Sequence, residues 1–413
     1  MGKRMAALAL AICMALPLFG CGGKLKAQSL TEGITARTID THTDLTDDST
    51  AVMDFAAALL RQTAEPEGVL LSPVSVLYAL GMTANGASGD TLTQLEQAMG
   101  MDLTALNDYL YTYRMSLPEN TKKCKLSLAN SLWLRDIFRV DDAFLDTCAN
   151  YYGAEAYRSA FDDSLVTDLN RWVDNKTDGM ISSLLDQPPT DRTMLYLVNA
   201  VCFDAKWQEP YEKSDIEQGA AFTAADGTRQ TADLLWSRES VYLSDDNTTG
   251  FMKYYDGGRY AFVGLLPNEG VSIADYVAGL TGGKLHALLN GHRYGTVEAA
   301  IPRFTASSSL ELSDALKAMG VTDAFDASRA DLRAMGSAPN DQLYVSAVLH
   351  KTYLSLDENG TKAAAVTAVV NEAGSAEPPQ VYRVVLDRPF VYMIVDTHAN
   401  LPLFLGTVTQ MNG

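Results

Sequence analysis

The spacing of apolar residues between Ser72 and Gly100 is helical and predicts two consecutive helices. Ser72 and Pro73 begin the first helix, because serine is a favoured N-cap and proline suits the first helical position. A break at Asn85-Gly86 separates the two helices, and Gly100 ends the second. The stretch "TASSSLELSDALKAMG", residues 305–320, predicts a further capped helix.

Four apolar stretches predict strands, some of them apolar enough to be central in a sheet. They are "KLSLANSLWL", "LVNAVCFDAKW", "RYAFVGLLP" and "LYVSAVLHKTYLSL". The tail "VYRVVLDRPFVYMIVDTHANLPLFLGTV" predicts three more strands with a hairpin at "THANLP". Helices dominate the first half and strands the second, which predicts an α+β domain.

The segment "TKAAAVTAVV", Thr361–Val370, suits two states. Its alanines favour a helix, whereas its valines and threonines favour a strand. It lies between "DENG" and "NEAGSAEPPQ", a stretch with little to bury. The pattern predicts a segment that changes between an exposed loop and a strand.

The first twenty residues combine a basic start, "MGKR", with a short apolar run, and predict an export signal at residues 1–20. "LFGC" resembles the lipobox of bacterial lipoproteins, which implies cleavage before Cys21 and lipid on its side chain. An ordinary cleaved signal with an incidental cysteine is the alternative. Residues 21–45 are polar and lack a period, so we predict a flexible tether.

The chain has 413 residues, with 32 basic and 51 acidic side chains and a net charge of −19. Such a surface favours solubility and argues against nucleic acid or an anionic membrane as a partner, so a lipid would be the only link to a membrane. Beyond Cys21 the predicted mature chain has Cys124, Cys148 and Cys202, an odd and widely spaced set that forms no disulfide framework. The sequence predicts no metal and no cofactor.

The five histidines and the glycine-rich segments form none of the common motifs of exported hydrolases. No H-E-x-x-H or G-x-S-x-G motif occurs, and "GLTGGKL" is too short for a phosphate loop. The sequence therefore predicts a protein that is not an enzyme. A triad assembled from distant residues remains an open alternative.

Seven segments, in order, resemble the signature segments of the serpin family. They are "LLSPVSVLYALGMTANGASGDT", "LANSLWL", "VNAVCFDAKW", "YAFVGLLP", "IPRFTASSSLELSDALKAMGVTDAF", "VLHKTYLSLDENGTKAAA" and "DRPFVYMIVD". The resemblance implies a serpin domain over residues 46–413, with a multi-helix N-terminal half, three β-sheets and an exposed reactive loop at about residues 358–380. It also implies a monomeric inhibitor of serine proteases that traps the acyl-enzyme when its cleaved loop inserts into the central sheet.

The resemblance makes the segment around Thr361 the hinge of that loop: Glu358, Gly360, Thr361, Lys362, Ala363, Ala364 and Ala365. In an inserted strand, Thr361, Ala363, Ala365 and Thr367 share one face, and these small side chains fit over a packed core. Lys362 falls on the other face, where it reaches water. Lys362 and Val366 depart from the usual Glu and Ala of the family.

The same resemblance implies a cluster of polar residues where the central sheet opens. Its members are Ser72, Ser75, Asn199 and His350. A small polar network there must be remade as strands part. Taken alone, His350 would be interpreted as an ordinary core histidine. Trp207 and Arg303 match positions where the loop enters the sheet, and we predict an ion pair between Arg303 and Glu358.

Counting from the hinge places the reactive bond at Gly374–Ser375, with Ala373–Gly374 and Ser375–Ala376 as alternatives. Small side chains suit elastase-like or subtilisin-like proteases, and Glu372 leaves a glutamate-specific protease open. The predicted location is outside the cytoplasmic membrane, either lipid-anchored or secreted. A non-inhibitory serpin that binds or carries a ligand is the alternative function.

Overall fold

The computed structural model describes residues 24–41, 43–46, 49–190, 193–337, 343–361 and 380–411. The α-helices in this part of the chain are α1 (Ser49–Thr63), α2 (Pro73–Asn85), α3 (Gly89–Met99), α4 (Leu103–Ser116), α5 (Asp142–Tyr152), α6 (Asp163–Lys176), α7 (Ile273–Ala278), α8 (Gly282–Asn290) and α9 (Ser313–Ala318). None of these helices is long and apolar enough to cross a membrane.

The strands of the same residues begin with a short one near the N-terminus and end in a C-terminal hairpin. They are β1 (Gln28–Ser29), β2 (Val69–Leu71), β3 (Cys124–Arg135), β4 (Arg139–Val140), β5 (Glu155–Ser159), β6 (Leu195–Lys206), β7 (Ile216–Thr223), β8 (Arg229–Ser244), β9 (Thr248–Tyr254), β10 (Tyr260–Pro267), β11 (Arg293–Pro302), β12 (Phe304–Glu311), β13 (Gly336–Ser337), β14 (Ala347–Asp357), β15 (Gly360–Thr361), β16 (Val381–Val385), β17 (Phe390–Asp396) and β18 (Leu401–Val408).

These strands form three sheets, as the sequence predicted. A seven-stranded sheet has the order β1-β5-β3-β6-β15-β14-β12, and we call it the central sheet. A nine-stranded sheet runs β16-β11-β8-β9-β10-β17-β18-β2 with β7 beside β8, and β4 pairs with β13. The arrangement is α+β, with the longest described helices in the first half of the chain.

The central sheet is packed over its inner face and over part of its outer face. Its inner face packs into the main core with α2 and the nine-stranded sheet, through side chains such as Phe203 and Leu356. Its outer face is covered in part by α6, whose Leu165, Leu169 and Trp172 pack against Tyr196 of β6. A strand added to this sheet beneath α6 must therefore fit between two packed layers.

The first two predicted helices are confirmed. Pro73 opens α2 and Ser72 is its N-cap residue, but the Ser72 side chain makes no capping hydrogen bond. Gly100 ends α3 with φ of 74°, a left-handed conformation that glycine adopts without strain. The three C-terminal strands β16, β17 and β18 and the hairpin between the last two are confirmed as well.

The helix predicted at residues 305–320 is wrong over its first half. Phe304–Glu311 form strand β12, which pairs with β14 along eight residues, and only Ser313–Ala318 are helical. Alternate side chains of β12 are exposed, which is the period of a strand at the edge of a sheet. Tertiary pairing decides the structure here, because serine and threonine have no strong helical preference.

The segment predicted as a flexible tether contacts the domain at several of its described residues. Gln28 and Ser29 form strand β1, which pairs with β5 at the edge of the central sheet. Leu30 N–H continues this pairing with a hydrogen bond of 2.8 Å to the Ala156 carbonyl. Backbone pairing requires no apolar period, which explains why a polar sequence docks. We call residues 24–41 the docked segment.

Candidate functional site

The chain reverses at the end of β14 and returns as β15 between β14 and β6. Thr361 lies opposite Leu356 of β14 and Ala205 of β6, and both pairings are antiparallel. Gly360 has φ of 147°, and a Cβ atom there would lie 2.1 Å from the Ala205 carbonyl oxygen. Glycine is therefore required at this turn. The predicted hinge residues Glu358, Gly360 and Thr361 lie at this site.

Two residues that follow β6 hold the turn by hydrogen bonds to its carbonyls. The Trp207 indole N–H donates to the Asp357 carbonyl at 3.0 Å, and its backbone N–H donates to the Asn359 carbonyl at 3.0 Å. The Tyr211 backbone N–H donates to the Glu358 carbonyl at 2.9 Å. Trp207 was predicted at the mouth of the sheet, whereas Tyr211 carries no motif and was missed.

A buried aromatic pair lies beneath the turn. The ring of Trp207 stacks on Tyr255 with 4.3 Å between centroids. The Tyr255 hydroxyl lies 2.8 Å from the Thr361 hydroxyl, and both residues are buried. Burial raises the pKa of Tyr255 well above its usual value, so its proton stays available to this hydrogen bond. Sequence reasoning missed Tyr255, because more than a hundred residues separate it from Thr361.

A buried cation completes the layer below the turn. The Lys253 ammonium lies 4.4 Å from the ring centroid of Tyr211 and 5.4 Å from that of Trp207. It forms an ion pair of 3.0 Å with Glu239, and only 3% of the Lys253 side chain is exposed. These contacts fix the side chains of Trp207 and Tyr211, the two residues whose N–H groups hold the turn.

The ion pair predicted between Arg303 and Glu358 is present, with 2.7 Å between Nη2 and Oε2. Arg303 also reaches Asp233, 3.3 Å from Nη1. The Arg303 and Glu358 side chains are 40% and 33% exposed, so the pair contributes little to the free energy of unfolding. Arg303 follows β11 directly, so its two ion pairs connect the end of β11 to Glu358 in the turn and to Asp233 in β8.

Further along the sheet, away from the turn, β6 and β14 pair directly. Their parallel pairing extends from Tyr196 opposite Ala347 to Val201 opposite Thr352. The two strands part beyond this point, and β15 fills the gap at Ala205. The central sheet is thus closed at one end and open at the other, with two hinge residues in the opening.

The predicted polar cluster lies at the closed part of the sheet. Asn199 and His350 are register partners on β6 and β14. The Asn199 amide donates to the Ser75 carbonyl at 2.8 Å and to Asn130 of β3. The backbone N–H of Ser72 donates to His350 Nε2 at 3.0 Å. All four predicted residues therefore meet, with Asn130 as a fifth member.

Several polar atoms of this cluster have no hydrogen-bond partner among the described residues, although they are buried. They are Ser72 Oγ, Ser75 Oγ, Asn199 Oδ1 and His350 Nδ1. Each such atom costs about 1–3 kcal/mol relative to a satisfied one. The cluster is therefore a place where an added polar group stabilises the fold.

The stability of the protein is expected to fall between pH 7 and pH 5 because of His350. Burial lowers the pKa of His350 to about 4, from an ordinary value of 6.5. Below pH 6.5 the unfolded chain gains a proton that the folded chain does not, so stability is complete above pH 6.5 and is lost as the pH falls toward 4. The expected loss at pH 5 is about 2 kcal/mol.

Urea unfolding of the wild type and of His350→Gln at both pH values measures this contribution. Glutamine can still accept the Ser72 N–H but does not titrate, so the variant should lose less stability on acidification. His398→Gln, at an exposed position, is the matched control and should behave like the wild type. An equal acid sensitivity of His350→Gln and wild type would contradict the assignment.

The remaining predicted residues lie outside the described part of the chain. These are Cys21, the hinge residues Lys362, Ala363, Ala364 and Ala365, and the candidates for the reactive bond, Ala373, Gly374, Ser375 and Ala376. Among the described residues, no group of three histidine, cysteine or acidic side chains is placed to hold a metal ion.

Comparison with known proteins assigns the chain to a family. Residues 50–411 match the family described as serpin (serine protease inhibitor). The chain is a serpin. Serpins are in general protease inhibitors and not catalytic enzymes.

Curated relatives of this serpin include animal proteins. Neuroserpin of Gallus gallus is 28% identical over 365 residues, covering 84% of this chain and 87% of the relative. Iris of Ixodes ricinus is 29% identical over 379 residues, covering 88% of this chain and 99% of the relative. The similarity extends over most of each chain.

Solved structures of serpins share the fold. The thermophilic serpin tengpin in its native state has a TM-score of 0.88 and 38% identity, covering 94% of this chain and all of tengpin. Tengpin in its latent state has a lower TM-score of 0.77 with 36% identity, covering 92% of this chain and all of tengpin. Thyroxine-binding globulin in complex with thyroxine has a TM-score of 0.76 and 25% identity, with 89% and 100% coverage.

Proposed function

We propose that this serpin is a suicide-substrate inhibitor of elastase-like or subtilisin-like serine proteases. A protease cleaves the reactive loop and is held as an acyl-enzyme, because the cleaved loop inserts into the central sheet as a new strand. The observation that carries the proposal is the position of β15. Two hinge residues already occupy the gap between β6 and β14, in the orientation that an inserted strand requires.

The register of β15 defines what insertion would place beside the existing strands. Continued residue by residue, Ala363 would lie between Phe203 and Leu354, and Thr367 between Asn199 and His350. Thr361 is buried on the inner face, so every second residue after it would face the core. The side chains of this set are alanine or threonine as far as Thr367, small enough for a packed interior.

Insertion would also bring a hydroxyl to the polar cluster. Thr367 is the residue whose register position matches Asn199 and His350, where four buried atoms have no partner in the described residues. A hydroxyl both donates and accepts, so it can satisfy more than one of them. The cluster thus favours the inserted state over the closed sheet.

The residues near the reactive bond determine which protease is captured. Ala373, Gly374, Ser375 and Ala376 are all small, and the stretch contains no lysine, arginine or aromatic residue. Trypsin-like proteases require a basic residue before the bond and chymotrypsin-like proteases an aromatic one. A protease with a shallow pocket is therefore the expected target.

The N-terminal sequence supports a place outside the cytoplasmic membrane. We propose that residues 1–20 direct export, that Cys21 is lipidated within "LFGC", and that the lipid is the attachment to the membrane. The mature chain would act as a monomer.

Incubation of the purified protein with elastase, subtilisin and trypsin tests the proposed inhibition. We expect detergent-stable complexes with elastase and subtilisin on a denaturing gel, and none with trypsin. Sequencing of the released C-terminal fragment locates the bond, which we expect at Gly374–Ser375. Each protease with its serine nucleophile blocked is the control, because it cannot form the acyl bond.

Cleavage by all three proteases without any stable complex would contradict the inhibitory mechanism. That outcome would favour a non-inhibitory serpin that binds or carries a ligand.

A further inference from the structure

We infer that the docked segment places the membrane beside the flank formed by β1, β5 and α6, with the open end of the central sheet directed away from the bilayer. The inference rests on the proposed lipidation of Cys21. It assigns an interaction surface, and its partner is the lipid bilayer that holds the anchor.

Attachment begins at Lys24, close to the proposed lipid. The Lys24 carbonyl accepts a hydrogen bond from Arg171 of α6 at 3.2 Å, and Ala27 N–H donates to the Asp168 carboxylate at 2.6 Å. Asp168 is 1% exposed, so this second bond lies within the packed structure. Gln28 then pairs with Arg158 of β5.

Attachment continues over the rest of the segment. Arg37 N–H donates to the Asn150 side chain at 2.7 Å, and the Arg37 guanidinium pairs with Asp146 of α5. Ile39 N–H donates to the Tyr111 hydroxyl of α4 at 2.8 Å. Contacts with four elements, β5, α6, α5 and α4, hold the segment along its length.

Docking therefore shortens the free chain between lipid and protein. Only two residues, Gly22 and Gly23, separate Cys21 from Lys24, and the three residue-to-residue steps span at most about 11 Å. An undocked chain from Cys21 to Ser49 would span up to about 100 Å. With the segment docked, the bilayer surface must lie close to α6.

The register of the central sheet defines which end faces the membrane. Gln28 is level with Arg158, which is level with Leu134 of β3 and Leu195 of β6. Thr361 is level with Ala205, ten residues further along β6, which corresponds to about 33 Å. The flank that carries the segment therefore belongs to the end of the sheet remote from the hinge.

Charge does not produce this orientation. The net charge of −19 opposes adsorption to anionic headgroups, although Lys24 and Lys26 are exposed next to the anchor. The orientation depends on the covalent lipid and on the short connection.

Energy transfer from a single dye to a fluorescent lipid tests the orientation in vesicles that carry the full lipidated protein. Cys124→Ser provides the background, because Cys148 and Cys202 are buried. One dye is placed at Thr167→Cys, exposed on α6 beside Asp168, and in a second sample at Ser214→Cys, exposed just after the hinge contact of Tyr211. We expect strong transfer from position 167 and weak transfer from position 214.

Ala27→Pro together with Leu30→Pro removes the N–H groups that bond to Asp168 and Ala156, which are contacts of the segment near the anchor, so the double variant should free this end and reduce the difference between the two positions. Ala36→Pro places proline at an exposed position of the same segment and is the matched control. Equal transfer from the two positions in the protein with wild-type residues 24–41 would overturn the inference.

A separate measurement of vesicle binding distinguishes a missing lipid anchor from a wrong orientation. Cys21→Ser should release the chain from the vesicles. If the chain with Cys21 is not retained either, the proposed lipidation is wrong and the bilayer is not a partner of this flank.

Discussion

Arginine in place of Ala365 is expected to convert the protein from an inhibitor into a substrate that the protease cleaves and releases. In an inserted strand that continues β15, Ala365 would share the inner face with buried Thr361, so insertion would carry a guanidinium into the core. A buried unpaired charge costs several kcal/mol, and this slows insertion relative to hydrolysis of the acyl bond. Nearly all cleaved protein should then appear without attached protease.

Lys362→Arg is the matched control, because in the register of β15 position 362 would lie on the opposite face between Asp204 and Ser355, which are partly exposed, so a guanidinium there could reach water. The fraction of protein in detergent-stable complex, and the number of inhibitor molecules consumed per protease, measure both variants. Undiminished complex formation by Ala365→Arg would rule out insertion in the register of β15.

Thr361→Arg is also expected to abolish inhibition, but this substitution would change the intact protein as well as the inserted state. Thr361 already lies between Ala205 and Leu356, with its hydroxyl against Tyr255. This substitution therefore disturbs the hinge before cleavage, which makes Ala365→Arg the cleaner test of insertion alone.

Cleavage of the loop between Val370 and Pro378 is expected to raise the melting temperature by about 10 °C or more. Insertion as far as the start of β14 would pair about nine further residues with strands on both sides, while the six pairs between β6 and β14 are given up. The net gain of about five to ten backbone hydrogen bonds, at about 1 kcal/mol each, is large for one structural change. Intact protein would thus be kinetically trapped above its most stable state.

Thermal unfolding before and after proteolysis measures the gain. Thr367→Val keeps the shape of the side chain and removes the hydroxyl proposed to reach the polar cluster, so its gain should be smaller. Ala365→Arg, once cleaved, should melt near the temperature of its intact form. An unchanged melting temperature of the cleaved wild type would show that insertion does not stabilise this protein.

Much of the site could be predicted because its residues lie in segments with strong local signals. Ser72 and Ser75 lie on a helix with an N-cap serine and a following proline, and Asn199 and His350 lie in apolar strands. Family resemblance then brought these four distant residues together, and the register between Asn199 and His350 agrees. The ion pair of Arg303 with Glu358 was accessible in the same way.

The layer beneath the hinge could not be predicted, since its contacts are purely tertiary. Tyr211, Lys253 and Tyr255 carry no motif, and they meet the turn only because β9 lies against the end of β6. Strand β12 was misjudged for a related reason: its serines are neutral in propensity, and pairing with β14 decides the outcome. The docking of residues 24–41 depends on an available sheet edge, which no local pattern reports.

The location of the docked segment has a consequence for the captured enzyme. Insertion would carry the protease to the end of the molecule where the lipid emerges. A protease of ordinary size is roughly 40 Å across. The free chain from the lipid at Cys21 to Lys24 spans at most about 11 Å. The captured protease and the bilayer would therefore compete for the same space. If both proposals hold, each capture would require residues 24–41 to detach from the domain. The complex would then be joined to the bilayer by a free chain of up to about 100 Å.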